Sequence, residues 1–124
     1  MKQRVMIVDD EALLVKTLSQ AFRDAGYEVT AAGTAEDAER ILDAKERFDL
    51  LLLDNRLPGK SGVELLAGRA SRPAKRVVLM TAYASDDIEQ KSIDLGVDLY
   101  LRKPFDLGML LSQASKLLEK GAET

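Results

Sequence analysis

Leu50-Leu51-Leu52-Leu53, closed by Asp54 and followed at once by Asn55-Arg56-Leu57-Pro58-Gly59, constrains the fold more than any other segment of this chain. Four leucines in a row leave no polar face. A strand of that kind is buried on both sides, which is the condition of a parallel sheet covered by helices on each face. The turn behind it sets Asp54 at the carboxyl tip of the strand, where open α/β sheets bind ligands. Three other apolar runs end in polar chemistry. Val5-Met6-Ile7-Val8 leads to Asp9-Asp10, Val77-Val78-Leu79-Met80 leads to Thr81, and Leu99-Tyr100-Leu101-Arg102 leads to Lys103-Pro104. If these strands are parallel neighbours, three acids, a hydroxyl and an ammonium converge on one sheet edge.

Between the runs lie segments of helical period, giving the alternation of a βα protein. A first helix is predicted from about Glu11 to Ala25, with Leu14, Leu18, Ala21, Phe22 and Ala25 as its apolar stripe and Gly26 ending it. Glu28 to Ala32 reads as a second strand. Thr34-Ala35-Glu36-Asp37 and Ser61-Gly62-Val63-Glu64 each fit a capping box. The first opens a helix with Ala38, Ile41 and Leu42 inward, the second a short helix through Leu65, Leu66 and Ala70. The third strand is Leu50 to Asp54, and Ser71-Arg72-Pro73-Ala74 is a loop into the fourth. A fourth helix, from Ser85 to Gly96, has only Ile88, Ile93 and Leu95 as large apolar residues and is expected to be the least firmly held. The last begins after Pro104, with Asp106 as cap and Phe105 and Leu110 as a hydrophobic staple. Its stripe is Leu107, Leu110, Leu111, Ala114, Leu117 and Leu118, and Gly121 to Thr124 is expected to fray. Five such units with right-handed crossovers leave few topologies. The leading one is a doubly wound, flavodoxin-like α/β fold with a five-stranded parallel sheet in the order 2-1-3-4-5. That order sets Asp9 and Asp10 beside Asp54.

The 124 residues suit one domain, with its core at about 4–120. A net charge of −3 gives no reason to expect direct nucleic-acid binding. Cysteine and histidine are both absent, which removes disulfides, thiolate chemistry, His-ligated metals, Ser-His triads and phosphohistidine within the chain. No signal peptide or membrane-length apolar stretch is evident, so the cytoplasm is the expected location. Three clustered carboxylates repel one another, and a divalent cation is the simplest way to keep them ionised. With oxygen ligands only, that ion is hard: Mg²⁺, with Mn²⁺ as a substitute. Mg²⁺ normally takes one or two carboxylates plus substrate phosphate oxygens, which points to phosphoryl transfer; a carboxylate can itself be the nucleophile, and Lys103 and the Thr81 hydroxyl could then hold the other phosphoryl oxygens.

Asp-Asp after the first strand, Asp after the third, Thr after the fourth and Lys-Pro after the fifth together resemble the receiver domain of two-component response regulators. The resemblance covers about residues 4–120 and implies roles by position. Asp54 is the phosphoacceptor, and Asp9 and Asp10 are metal-binding acids, with the backbone carbonyl of Arg56 as a further ligand. Thr81 is the switch hydroxyl, Tyr100 the switch aromatic and Lys103 the phosphoryl-binding lysine. The Lys103-Pro104 bond is expected to be cis, and Pro58 and Gly62 match the family's residues after the acceptor. Asn55 departs from the pattern, since the family usually has an apolar residue there. Arg56 and Tyr83 fall on the two variable positions that tune phosphorylation and dephosphorylation. Neither is an acid or amide suited to orient a hydrolytic water, so slow self-dephosphorylation is expected.

Taken singly, each motif has a plainer reading. Asp-Asp can be a turn and helix cap, Asp54 a turn residue, Thr81 a strand-end hydroxyl, Lys103 a solvated lysine and Tyr100 a rim aromatic. Their joint occurrence at successive strand ends favours the switch. The resemblance implies a domain that is not an enzyme beyond its own phosphorylation and dephosphorylation. Its partners would be a histidine kinase or phosphotransfer protein, and an output domain or target protein controlled through the surface of the fourth helix, fifth strand and fifth helix. The same surface is a candidate for homodimer contact. A haloacid-dehalogenase-type phosphatase needs a second Asp where Arg56 stands. A flavin or nucleotide module needs a phosphate loop where Asp9-Asp10-Glu11 would repel the ligand. A degenerate receiver that acts only by protein contact is the remaining alternative.

Overall fold

In the computed structural model, which describes residues 2–44 and 46–122, strands and helices alternate from end to end. The elements are β1 (Arg4–Val8), α1 (Ala12–Asp24), β2 (Glu28–Ala32), α2 (Ala35–Asp43), β3 (Phe48–Asp54), α3 (Gly62–Ala67), β4 (Ala74–Thr81), α4 (Asp86–Asp94), β5 (Leu99–Arg102) and α5 (Leu107–Ala122). The sheet is parallel throughout and ordered β2-β1-β3-β4-β5. This is the doubly wound order expected from the alternating pattern.

The leucine run explains the two layers. Successive side chains of a strand point to opposite faces. Leu51 and Leu53 therefore join Met6, Val8, Val77 and Leu79 in the layer under α2 and α3, with Ile88 of α4 and Leu95, its C-cap, against it. Leu50 and Leu52 join Val5, Ile7, Val78 and Met80 under Leu18 and Phe22 of α1 and Leu110, Ala114 and Leu118 of α5. All four leucines are buried.

Several boundaries differ from the sequence reading, each for a local reason. β3 and β4 begin earlier than their apolar runs, because Phe48 and Ala74 already pair with each other in the ladder. Ala25 is exposed and only caps α1, and Gly26 (φ +100°) then reverses the chain. α3 stops at Ala67 and is capped by Gly68, so Ala70 lies beyond it and is exposed. Ser61 and Glu64 form a complete capping box. At α2 only half of one forms: Thr34 accepts from the Asp37 N–H, while the Asp37 carboxylate pairs with Arg40. α5 remains helical through Gly121 to Ala122, where fraying was expected; Glu123 and Thr124 lie outside the described residues. Its start is capped by the Asp106 carboxylate, which accepts from the Gly108 N–H at 2.8 Å.

α4 is held as weakly as its composition implies. Among the described residues, Ser92 is its one fully buried side chain, and Ile93 is exposed. Its far end is better anchored. Arg72 donates to the Gly96 carbonyl at 2.8 Å and pairs with Asp98, which also accepts from the Val77 N–H.

Candidate functional site

The register carries the acids to one edge. Val8 pairs with Leu53, so Asp9 and Asp54 follow side by side, and Asp54 pairs with Met80, one residue before Thr81. Thr81 pairs with Arg102, one residue before Lys103. Three backbone bonds extend the ladder past the strand ends and fix this rim: Asp9 N–H to Ala32 O at 3.1 Å, Asn55 N–H to Met80 O at 2.8 Å, and Lys103 N–H to Thr81 O at 2.8 Å. The Lys103-Pro104 peptide bond is cis.

Carboxylate oxygens of Asp9, Asp10 and Asp54 lie within 4.8 Å of one another. Asp9 and Asp54 are buried and Asp10 is exposed. Lys103 answers part of this charge. Its Nζ donates to Asp9 Oδ2 at 2.7 Å and Glu11 Oε1 at 3.1 Å, and lies 3.3 Å from Asp54 Oδ1. Burial and the charge of Asp9 push the Asp54 carboxyl up to about 6, although Lys103 pulls the other way. Burial alone would lower the Lys103 ammonium. Hydrogen bonds to Asp9 and Glu11, with the charges of Asp54 and Asp9, outweigh it and hold the group above the usual lysine range. One ammonium among so many carboxylates leaves the site acidic. Clustered oxygen donors of this kind suit a hard divalent cation.

Thr81 is buried, and its hydroxyl oxygen accepts from the Tyr83 N–H at 3.0 Å. The Tyr100 hydroxyl accepts from the N–H of Ser85, the cap of α4, at 3.4 Å. Arg56 and Tyr83 meet across the mouth of the cavity that holds Asp54 and Lys103, the guanidinium 4.2 Å above the ring centroid.

Two residues matter more than their sequence context implied. Glu11 was visible only as a third acid after Asp9-Asp10, yet it binds Lys103. Asn55, the departure from the family pattern, has a structural use: its side-chain oxygen accepts from the Val63 N–H at 3.0 Å and its carbonyl from the Gly62 N–H at 2.8 Å. The start of α3 is thereby docked onto the residue after Asp54. Gly62 has no alternative there, because a Cβ would stand 2.7 Å from the Asp54 carbonyl oxygen.

A sheet of this order carries an acid pair, a central acid, a hydroxyl and a lysine at its carboxyl edge. The family model of the response regulator receiver domain matches residues 5–115, and the chain belongs to that family. Sporulation initiation phosphotransferase F of Bacillus subtilis is 35% identical over 119 residues, covering 95% of each chain. The alginate biosynthesis transcriptional regulatory protein AlgB of Pseudomonas aeruginosa is 37% identical over 117 residues, which is 94% of this chain and 26% of AlgB. The chain therefore spans about a quarter of that relative's length. A CheY-like response regulator receiver domain protein from Methanospirillum hungatei superposes with a TM-score of 0.93 at 31% identity, covering 99% of this chain and 98% of the other. Among the described residues, no helix is long and apolar enough to cross a membrane.

Proposed function

We propose that this domain is a phosphorylation switch in which Asp54 accepts a phosphoryl group from a histidine kinase or phosphotransfer protein. The observation that carries the reading is Lys103 Nζ bridging the buried Asp9 and Asp54, with Asp10 beside them. An Asp54 oxygen forms a bond to phosphorus as the phosphorus–nitrogen bond of the donor histidine breaks, and the imidazole keeps the electron pair. Asp9, Asp10 and Asp54 would hold Mg²⁺, or Mn²⁺ in its place, with the Arg56 carbonyl as a further ligand. When bound, the ion supplies positive charge against the phosphoryl oxygens.

Lys103 takes one phosphoryl oxygen and the Thr81 hydroxyl takes another. To do so Thr81 turns away from the Tyr83 N–H, which loosens the β4–α4 connection. Tyr100 is tied to the same connection through Ser85. The change therefore reaches the weakly anchored α4 and the surface it shares with β5 and α5. That surface would engage an output domain, a target protein or a second copy of the domain. In α4, Asp87 and Lys91 already pair with each other. A receiver domain working in the cytoplasm fits this reading. The alternative, a degenerate receiver acting only by contact, has no use for a lysine shared between buried acids.

The test is site mapping. After incubation with acetyl phosphate and Mg²⁺, borohydride reduction should convert Asp54, and no other acid, to homoserine. Labelling elsewhere, or none, would contradict the assignment. The stacked Arg56 and Tyr83 line the same cavity as the acceptor and offer water no acid or amide. The phosphorylated form should therefore decay over minutes or longer, and a half-life of seconds would sink that expectation.

A further inference from the structure

We propose that Glu11 occupies one donor of Lys103 in the resting site and, from the rim of the site, slows the arrival of an anionic phosphoryl donor. The inference rests on the reading of Asp54 as phosphoacceptor. An ammonium has three N–H donors, and in this chain they face three carboxylates: Asp9 at 2.7 Å, Glu11 at 3.1 Å and Asp54 at 3.3 Å. Asp9 and Asp54 have a second task, because with Asp10 they form the cluster suited to a cation. Glu11 stands outside that cluster.

Its backbone is fixed while its carboxylate reaches over the mouth. The Glu11 N–H donates to Asp9 Oδ1 at 2.9 Å, and the Glu11 carbonyl accepts from the Val15 N–H at 3.0 Å. Glu11 occupies the cap position of α1, yet its side chain makes no capping hydrogen bond. The carboxylate is spent on Lys103 instead, with 61% of the side chain exposed.

The three contacts differ in how easily they are surrendered. The Asp9 side chain is fully buried, and the Asp54 contact becomes a contact to the phosphoryl group itself. The Glu11 contact is water-exposed, so it is the one Lys103 gives up to grip a phosphoryl oxygen. Until then Glu11 occupies a donor of Lys103 and faces the incoming phosphate with a like charge. Both effects oppose entry. Neither is needed to orient Lys103, which keeps Asp9 and Asp54.

The experiment compares wild type with Glu11→Gln and Glu11→Asp, using acetyl phosphate at Mg²⁺ concentrations that saturate each protein. In the reaction an Asp54 oxygen bonds to phosphorus as the phosphorus–oxygen bond to the acetyl group breaks, and acetate leaves. Glu11→Gln should raise the second-order rate about fivefold, as expected for removing one charge near a dianion at a solvated rim. The gain should lie in KM rather than kcat and should shrink toward nothing in high salt. Glu11→Asp, which keeps the charge, should restore the slow rate. Beryllofluoride, a stable phosphoryl analogue, should bind Mg²⁺-loaded Glu11→Gln more tightly by a similar factor. An unchanged rate would overturn the proposal and leave Glu11 a solvated rim side chain. A slower rate, or a tenfold loss of Mg²⁺ affinity, would overturn it by making Glu11 a support of the site. Wild type that gains no phosphoryl group is a separate result, which removes the phosphoacceptor reading and this proposal with it.

Discussion

Asp54 is a buried acid whose surroundings favour its protonated form. Burial and its neighbour Asp9 raise its carboxyl to about 6 from an ordinary value of 3.8. An acid whose folded value is raised holds its proton in the native state while the unfolded chain has already lost it. Its contribution to stability is therefore greatest at low pH and falls as pH rises from about 4 to about 6. Without metal, Asp54→Asn should be more stable than wild type at pH 7 by on the order of 1–3 kcal/mol, and the gap should close near pH 4 in thermal melts. A gap of the opposite sign at pH 7 would mean that Lys103 overcompensates the burial. Gly62 is constrained by space instead of charge. A Cβ there meets the Asp54 carbonyl oxygen, the Asn55 Cα and the Leu53 side chain, at 2.7, 3.1 and 3.1 Å. Gly62→Ala should cost about 1–3 kcal/mol in urea unfolding, because the wall it meets is mostly backbone. A neutral result would show that α3 can shift away freely.

At the level of elements, the helices divide by how they are held. α5 buries Leu110, Ala114 and Leu118 against the sheet, while α4 and its cap bring Ile88 and Leu95 to the core partly buried. Its first turn carries Asp86, Asp87 and Glu89, which suit the positive end of the helix dipole but add no burial. The expected consequence is a gradient of amide exchange, with α4 exchanging well before the Leu110–Leu118 stretch of α5. Equal protection in the two helices would remove α4 as the movable element. The gradient should also run along α4, because Arg72 secures the chain at Gly96 at 2.8 Å, whereas the Tyr100 hydroxyl meets the cap at Ser85 at a longer 3.4 Å. α4's weak hold was legible in the sequence, since a helix with few apolar residues cannot bury what it lacks. The end of α3 was not, because Leu65 and Leu66 set a helical period that says nothing about where Gly68 will cap it.

Across the whole molecule, charge is sorted by sheet edge. At the amino edge the charges are paired off: Arg4 with Glu28 and Glu46, Lys75 with Asp49, and Arg72 and Arg76 with Asp98. At the carboxyl edge one lysine serves several acids, and the imbalance is what a cation and a phosphoryl group would use. The sheet order and two-layer core were readable because apolar runs and turns are local signals. The juxtaposition of Asp9 with Asp54 followed from topology alone. The partners of Glu11 and Asn55 were not readable. Lys103 lies 92 residues from Glu11, and Asn55 bonds to a backbone group rather than to a side chain that marks the sequence. The most direct test of the switch is intact mass after incubation with acetyl phosphate and Mg²⁺, for wild type and Asp54→Ala. A phosphoryl switch at Asp54 should show a gain of one phosphoryl group in wild type, lost in the variant and in EDTA. A folded wild type that gains nothing, or a variant that gains as much, would contradict it.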